Sequence, residues 1–203
     1  MSGATPATRS VCLDPIGGDE LLRFAELHSH DPRDGSRIRS QYAAELSRSA
    51  EGAGALGVRA CGDLLAVASY GTVRLPRPNA VSARIDVVVT TPHCRGRGLA
   101  RVVIGGLLGH FLNRHGDHLE HVSVVAAHPT IQRIVERLGF VDAAFGTSSP
   151  VLHRALVGTP DRVSLRVESD RAQTQVLQAL RTECTRCLRG LQPPWCGRAA
   201  YLR

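Results

Sequence analysis

The chain contains no lysine; its net charge of +7 rests wholly on 25 arginines. Without lysine there is no Walker phosphate site, because that pattern needs Gly-Lys-Ser/Thr. Aromatic residues make up only 4%. With the arginines scattered and no nucleic-acid motif present, the basic balance does not point to DNA or RNA as a partner. No apolar run is long enough to span a bilayer, so no membrane partner is expected. The N-terminus, Met-Ser-Gly-Ala-Thr-Pro-Ala-Thr-Arg, lacks the apolar stretch of a signal peptide. These absences lead to the expectation of a cytoplasmic protein whose six cysteines are reduced. Asn, Ile, Met and Tyr are scarce alongside lysine, so a compositional bias explains much of the arginine content.

Among what is present, 203 residues at 43% hydrophobic content suffice for one globular domain with an ordinary core. Residues 1–8 are small and polar, and read as disordered. Val11 to Leu13 reads as a strand, and Asp19 caps a helix running to about His28. Residues 30–35 form a loop, and Ser36 to Ala50 fits a second helix. Leu56–Cys61 and Leu64–Tyr70 read as a hairpin turned at Gly62-Asp63. A central strand covers Ser82 to Thr91, and another covers His121 to Ala127. Pro129 opens a helix to Leu138 that Gly139 ends. Val141–Phe145 and Val151–Val157 read as a last hairpin.

The stretch from Val87 to Arg101 organises the chain. A β-branched run is stopped by Pro92. The basic turn Arg95-Gly96-Arg97-Gly98 follows, and then a helix from Leu99 to Phe111. Strand, glycine turn and helix build an anion site, because a helix N-terminus presents unbonded N–H groups and a partial positive charge. The dinucleotide pattern fails here, since Arg101 stands where its third glycine belongs.

Arg95-x-x-Gly98-x-Ala100 resembles the signature of the GNAT superfamily, the CoA-dependent N-acetyltransferases. Val135-Glu136-Arg137-Leu138-Gly139-Phe140 resembles that family's Tyr-Glu-Lys-Leu-Gly-Phe helix end. The resemblance spans about residues 11–158. It implies an α/β fold with a central, mixed but mostly antiparallel sheet flanked by helices. It implies acetyl-CoA as co-substrate, no metal, and a primary amine as acceptor. Backbone groups of Val88, Val89 and Thr90 would pair with the pantetheine arm. The turn of Arg95, Gly96, Arg97, Gly98, Leu99, Ala100 and Arg101 would hold the pyrophosphate.

Period-two alternation places Arg84, Asp86, Val88 and Thr90 on one face of the central strand. Asp86 is the candidate base; the alternative is a carboxylate neutralised by Arg84. Val135 stands where many family members carry a proton-donating Tyr. His128 is the candidate replacement, since imidazole titrates near neutrality; the alternative is a helix cap. Thr91 and Cys94 rank behind it. Two other activities stay open. One is an acyl-CoA decarboxylase using Thr90 or Thr91 with His128, and the other is an acyl-CoA-binding module without catalysis.

Residues 159–203 exceed what the resemblance covers. Val163, Leu165 and Val167 alternate like a strand. Val176, Leu177, Leu180, Cys184, Cys187, Leu188 and Leu191 recur at helical spacing. This strand–helix extension packs either on the domain or against a second copy in a homodimer. Cys184-x-x-Cys187 with Cys196 lacks a fourth zinc ligand, so core thiols are the favoured reading.

Overall fold

A computed structural model describes residues 11–28, 52–143, 150–156 and 159–188. The elements in order are β1 (Val11–Pro15), α1 (Gly18–His28), β2 (Ala53–Ala60), β3 (Asp63–Arg74), β4 (Val81–Thr90), α2 (Leu99–His115), β5 (Leu119–Val125), α3 (Pro129–Glu136), β6 (Val141–Asp142), β7 (Val151–Ala155) and α4 (Thr159–Leu188). The expected helix over 36–50 and the expected disorder over 1–8 lie outside the described residues.

The strands form one sheet in the order β1-β2-β3-β4-β5-β7-β6. Every neighbouring pair is antiparallel except β4–β5. This is the mixed, mostly antiparallel α/β architecture expected. The β2–β3 hairpin turns one residue earlier than its composition suggested. Cys61 (φ 55°) and Gly62 (φ 90°) supply the two positive φ angles that the tight hairpin turn requires.

Two apolar clusters lie on opposite faces of the sheet. The larger unites Val58, Ala83, Ile85 and Val122 with Val103, Leu107 and Phe111 of α2, Val135 of α3 and Leu165 and Leu180 of α4. The smaller joins Leu21, Phe24 and Ala25 of α1 to Val67, Val87 and Val89. α2 is apolar almost all round, which marks a helix buried on two sides. The sheet covers one side and α4 the other. At Gly105 a Cβ would stand 3.1 Å from the Ser169 carbonyl oxygen, so the two helices approach backbone to backbone.

The tail corrects one expectation. Residues 163–167 are helical, and α4 runs unbroken from Thr159. Leu165 is fully buried, whereas Val163 and Val167, one helical turn apart, are each 55% exposed. Three alternating apolar residues fit either period, and the pattern was too short to distinguish them. A second correction concerns redox state. Cys61 is disulfide-bonded, whereas Cys12 and Cys94 keep their thiols. Cys184, Cys187 and Cys196, read from sequence as core thiols, lie outside the described side chains.

Candidate active site

Strand β4 carries a bulge at its centre. Ser69 pairs with Val87 and Tyr70 with Ile85, so Asp86 is the extra residue. The insertion reverses the faces of β4. Ala83 and Ile85 join the larger cluster before it. After it Val87 and Val89 join the α1 cluster, while Val88 packs on the larger one. The expectation that Arg84, Asp86, Val88 and Thr90 share a face is therefore corrected, because strict alternation holds only without a bulge. Arg84 and Asp86 do remain together: the Arg84 guanidinium donates to the Asp86 carboxylate. The Asp86 side chain is 2% exposed and that of Arg84 46%.

The bulge sits where the sheet forks. Pairing of β4 with β5 ends at Ile85–Val124. Pairing of β4 with β3 continues to Thr90–Ala66. β5 turns instead to β7, as far as Val125–Val151. Between Asp86 and Thr90, no strand among the described residues pairs with the second edge of β4. Its N–H and C=O groups there form a short edge suited to an extended, amide-bearing ligand.

The open edge leads straight into the glycine turn. One turn of 3-10 helix, Pro92–Cys94, follows Thr91. Gly96 (φ 76°) and Gly98 (φ 81°) are both left-handed, and Gly98 is the N-cap of α2. A Cβ at Gly96 would meet nothing within 4 Å, so its backbone is open to a ligand. Val102 donates to the Gly98 carbonyl oxygen at 3.2 Å. The amides of Leu99, Ala100 and Arg101 precede this first helical bond and have no acceptor within the helix. Leu99 is 1% exposed and offers only its backbone. Arg97, Ala100 and Arg101 are half-buried around the turn.

Arg95 is placed differently from a solvated phosphate ligand. Its Nη2 donates to the His28 carbonyl oxygen at 2.9 Å, and its Nε to the Thr90 carbonyl oxygen at 3.4 Å. One side chain thus ties the end of β4 to the C-terminus of α1, where a cation meets the negative end of the helix dipole. His28 packs edge-on to Phe24, with ring centroids 4.6 Å apart. Burial first, then the positive charges of Arg95 and His93, hold its imidazole pKa below 6.5. The resemblance implies that the region of the first two helices forms the acceptor side of the cleft, with His28, His30, Asp31 and Asp34; it assigns His28 no catalytic role, and the last three lie outside the described residues. Among the described residues, the buried Thr91 hydroxyl has no hydrogen-bond partner.

His128 lies on the other prong of the fork, beyond β5. Its Nδ1 accepts from the Thr130 amide at 3.1 Å, so it caps α3. A neutral imidazole that accepts at Nδ1 carries its proton on Nε2. Both sequence readings, cap and proton donor, are compatible with this exposed ring. Val135 is fully buried in the larger cluster with Leu138 and Phe140, and Cys94 is likewise fully buried.

No protein-family model matches the sequence, and no curated protein matches it either. Solved structures do match. A GNAT-family protein from Desulfovibrio desulfuricans superposes with a TM-score of 0.55 at 17% identity, over 72% of this chain and 99% of that one. The fold is that of the GNAT acetyltransferases. Two other matches are complexes with acetyl-CoA. AtaTR bound with acetyl-CoA has a TM-score of 0.55 at 11% identity, covering 78% of this chain and 97% of that one. Arabidopsis thaliana NAA60 in complex with acetyl-CoA has a TM-score of 0.50 at 13% identity, covering 73% and 100%. At such identities the shared GNAT fold supplies a frame, and the chemistry must be argued from the residues standing in it.

Proposed function

We propose that the protein is a CoA-dependent N-acyltransferase that passes an acetyl group from acetyl-CoA to a primary amine. The observation that carries this reading is the continuity of fork, open edge and anion turn along β4. Val88, Val89 and Thr90 offer backbone groups to the pantetheine arm. Gly96, Gly98 and the amides of Leu99, Ala100 and Arg101 cradle the pyrophosphate, with Arg97 and Arg101 beside it and Arg95 fixing the turn. The acetyl-CoA complexes among its structural neighbours support this choice of donor. Backbone amides along the open edge polarise the thioester carbonyl as negative charge develops on its oxygen. Val135 cannot protonate the departing thiolate; His128 is the group proposed for that step.

Calorimetry and thermal shift with acetyl-CoA test this reading. A ligand bound only by the native state raises the melting temperature by mass action. Binding is expected, and Gly96→Glu, which sets a carboxylate in the open space beside the turn, abolishes it. Absence of both heat and thermal shift in the intact protein overturns the proposal. A screen of primary amines by free-thiol release then identifies the acceptor class. The orphaned Thr91 hydroxyl keeps a second reading alive, an acyl-CoA decarboxylase with Thr90 or Thr91 and His128. Carbon dioxide release from malonyl-CoA without any amine distinguishes it.

A further inference from the structure

The sheet divides the site into two half-spaces. α2, whose N-terminus forms the turn, packs on one face, and α1 packs on the other. A thioester laid along the open edge of β4, with its diphosphate at the turn, is closed on the α2 side by the larger core. A nucleophile then arrives from the α1 side. His28 is the last residue of α1. Its carbonyl is held by the guanidinium that also holds Thr90, the last residue of the open edge. Phe24 packs against the ring and limits its rotation.

Resting on the transferase reading above, we propose that His28 is the acceptor-side base, the group that takes a proton from the incoming ammonium before it attacks. The imidazole accepts that proton, and the free amine's lone pair forms the new carbon–nitrogen bond at the thioester carbonyl. The tetrahedral intermediate collapses, and the carbon–sulfur bond breaks with its electron pair on sulfur. His128 protonates the thiolate and recovers the second proton lost from nitrogen, and the His28 imidazolium returns its own to water. Among the described residues, the charged groups acting on the ring are Arg95 from the glycine turn and His93 from the 3-10 turn. Both disfavour its protonation, as does burial, so the ring is neutral and able to accept at pH 7. Asp86 is by contrast ion-paired with Arg84 at the base of the fork.

The test uses the full-length protein, CoA, acetyl-CoA and the best primary amine from the screen. His28→Gln, with His28→Asn as a second variant, is expected to leave the acetyl-CoA dissociation constant within about twofold. It lowers turnover by roughly a hundredfold and flattens the acid limb of the pH–rate profile. In the wild-type protein, the His28 ring resonance is followed against pH with and without CoA. It is expected to shift on binding, with the ring's proton affinity rising as the diphosphate offsets Arg95 and His93. Unchanged turnover in both variants, or a His28 resonance that does not respond to saturating CoA, overturns the assignment. Failure of acetyl-CoA to bind the wild-type protein is seen in calorimetry before any variant is made, and overturns the transferase reading itself.

Discussion

Val176 of α4 lies against Gly98 at the N-cap of α2, so close that a Cβ on Gly98 would stand 2.9 Å from Val176 Cγ2. The tail helix therefore touches the turn proposed to hold the pyrophosphate. Gly98→Ala should lose about 1–3 kcal/mol, combining a left-handed backbone with the steric contact. Gly96→Ala bears only the backbone part, because the space there is open. Val176→Ala placed on Gly98→Ala should recover some of the loss, a coupling that urea denaturation of the four-member cycle measures. Strict additivity would show that the contact carries no energy.

The same helix covers the second apolar side of α2. A chain ending at residue 158 uncovers the face around Gly105 and removes Leu165 and Leu180 from the core. It also removes the hydrogen bonds from Arg162 to the Gly116 and Asp117 carbonyl oxygens at the far end of α2. Aggregation or a lowered melting temperature is expected. A shortened protein as soluble and as stable as the full chain would show that α4 is dispensable.

Stability should fall on mild acidification. His28, His110 and His115 each have a pKa held below 6.5, burial being the first cause in every case. Arg95 and His93 add to it at His28. Arg114 adds at His110, and Arg114, His110 and His118 add at His115. The unfolded chain binds protons at these sites before the folded chain does. The stability they confer is complete above pH 6.5 and declines as pH falls from there through their folded values. Melting temperature measured from pH 8 to pH 5 checks this. His110→Gln should flatten part of the decline, since it removes one titrating ring and can keep a hydrogen bond to Tyr70, whose hydroxyl lies 3.2 Å from His110 Nε2. A profile that rises toward pH 5 would contradict it.

Two roles for His128 can be separated by one pair of substitutions. Asn is a good N-cap and Ala a poor one. His128→Ala should cost about 1 kcal/mol through the lost cap, whereas His128→Asn should be nearly neutral in stability. If the ring also protonates the thiolate, both variants lose about ten- to a thousandfold in turnover. Full activity in His128→Asn would leave only the cap.

Thr91→Val tests the orphaned hydroxyl. Replacing an unbonded buried hydroxyl by a methyl of similar volume should stabilise the free protein by about 1 kcal/mol. Denaturant midpoints of Thr91→Val and Thr91→Ser measure it. A destabilised Thr91→Val would mean that the hydroxyl is bonded in solution.

The turn Arg95–Arg101 was legible from sequence because its requirements are local: glycines where φ is positive, and a helix start immediately after. Its neighbour Asp86 was legible as a candidate but not in its setting. A bulge is a relation between two strands, and nothing in Arg84 to Thr90 announces that Ser69 and Tyr70 will skip one residue. The bond from Arg95 to the His28 carbonyl oxygen was not legible either, because the two residues lie 67 positions apart.

The sequence by itself determined the order of the described elements from Val11 to Ala155 and the glycine turn that opens α2. Those properties are periods and short spacings, which neighbouring residues set among themselves. Only the tertiary structure decided which faces β4 presents, that His28 stands beside the end of that strand, and that Val176 presses on Gly98. Each of these joins residues distant in the chain. Their placement follows from how the sheet forks and how the helices close over it, and that packing is set by the whole core at once.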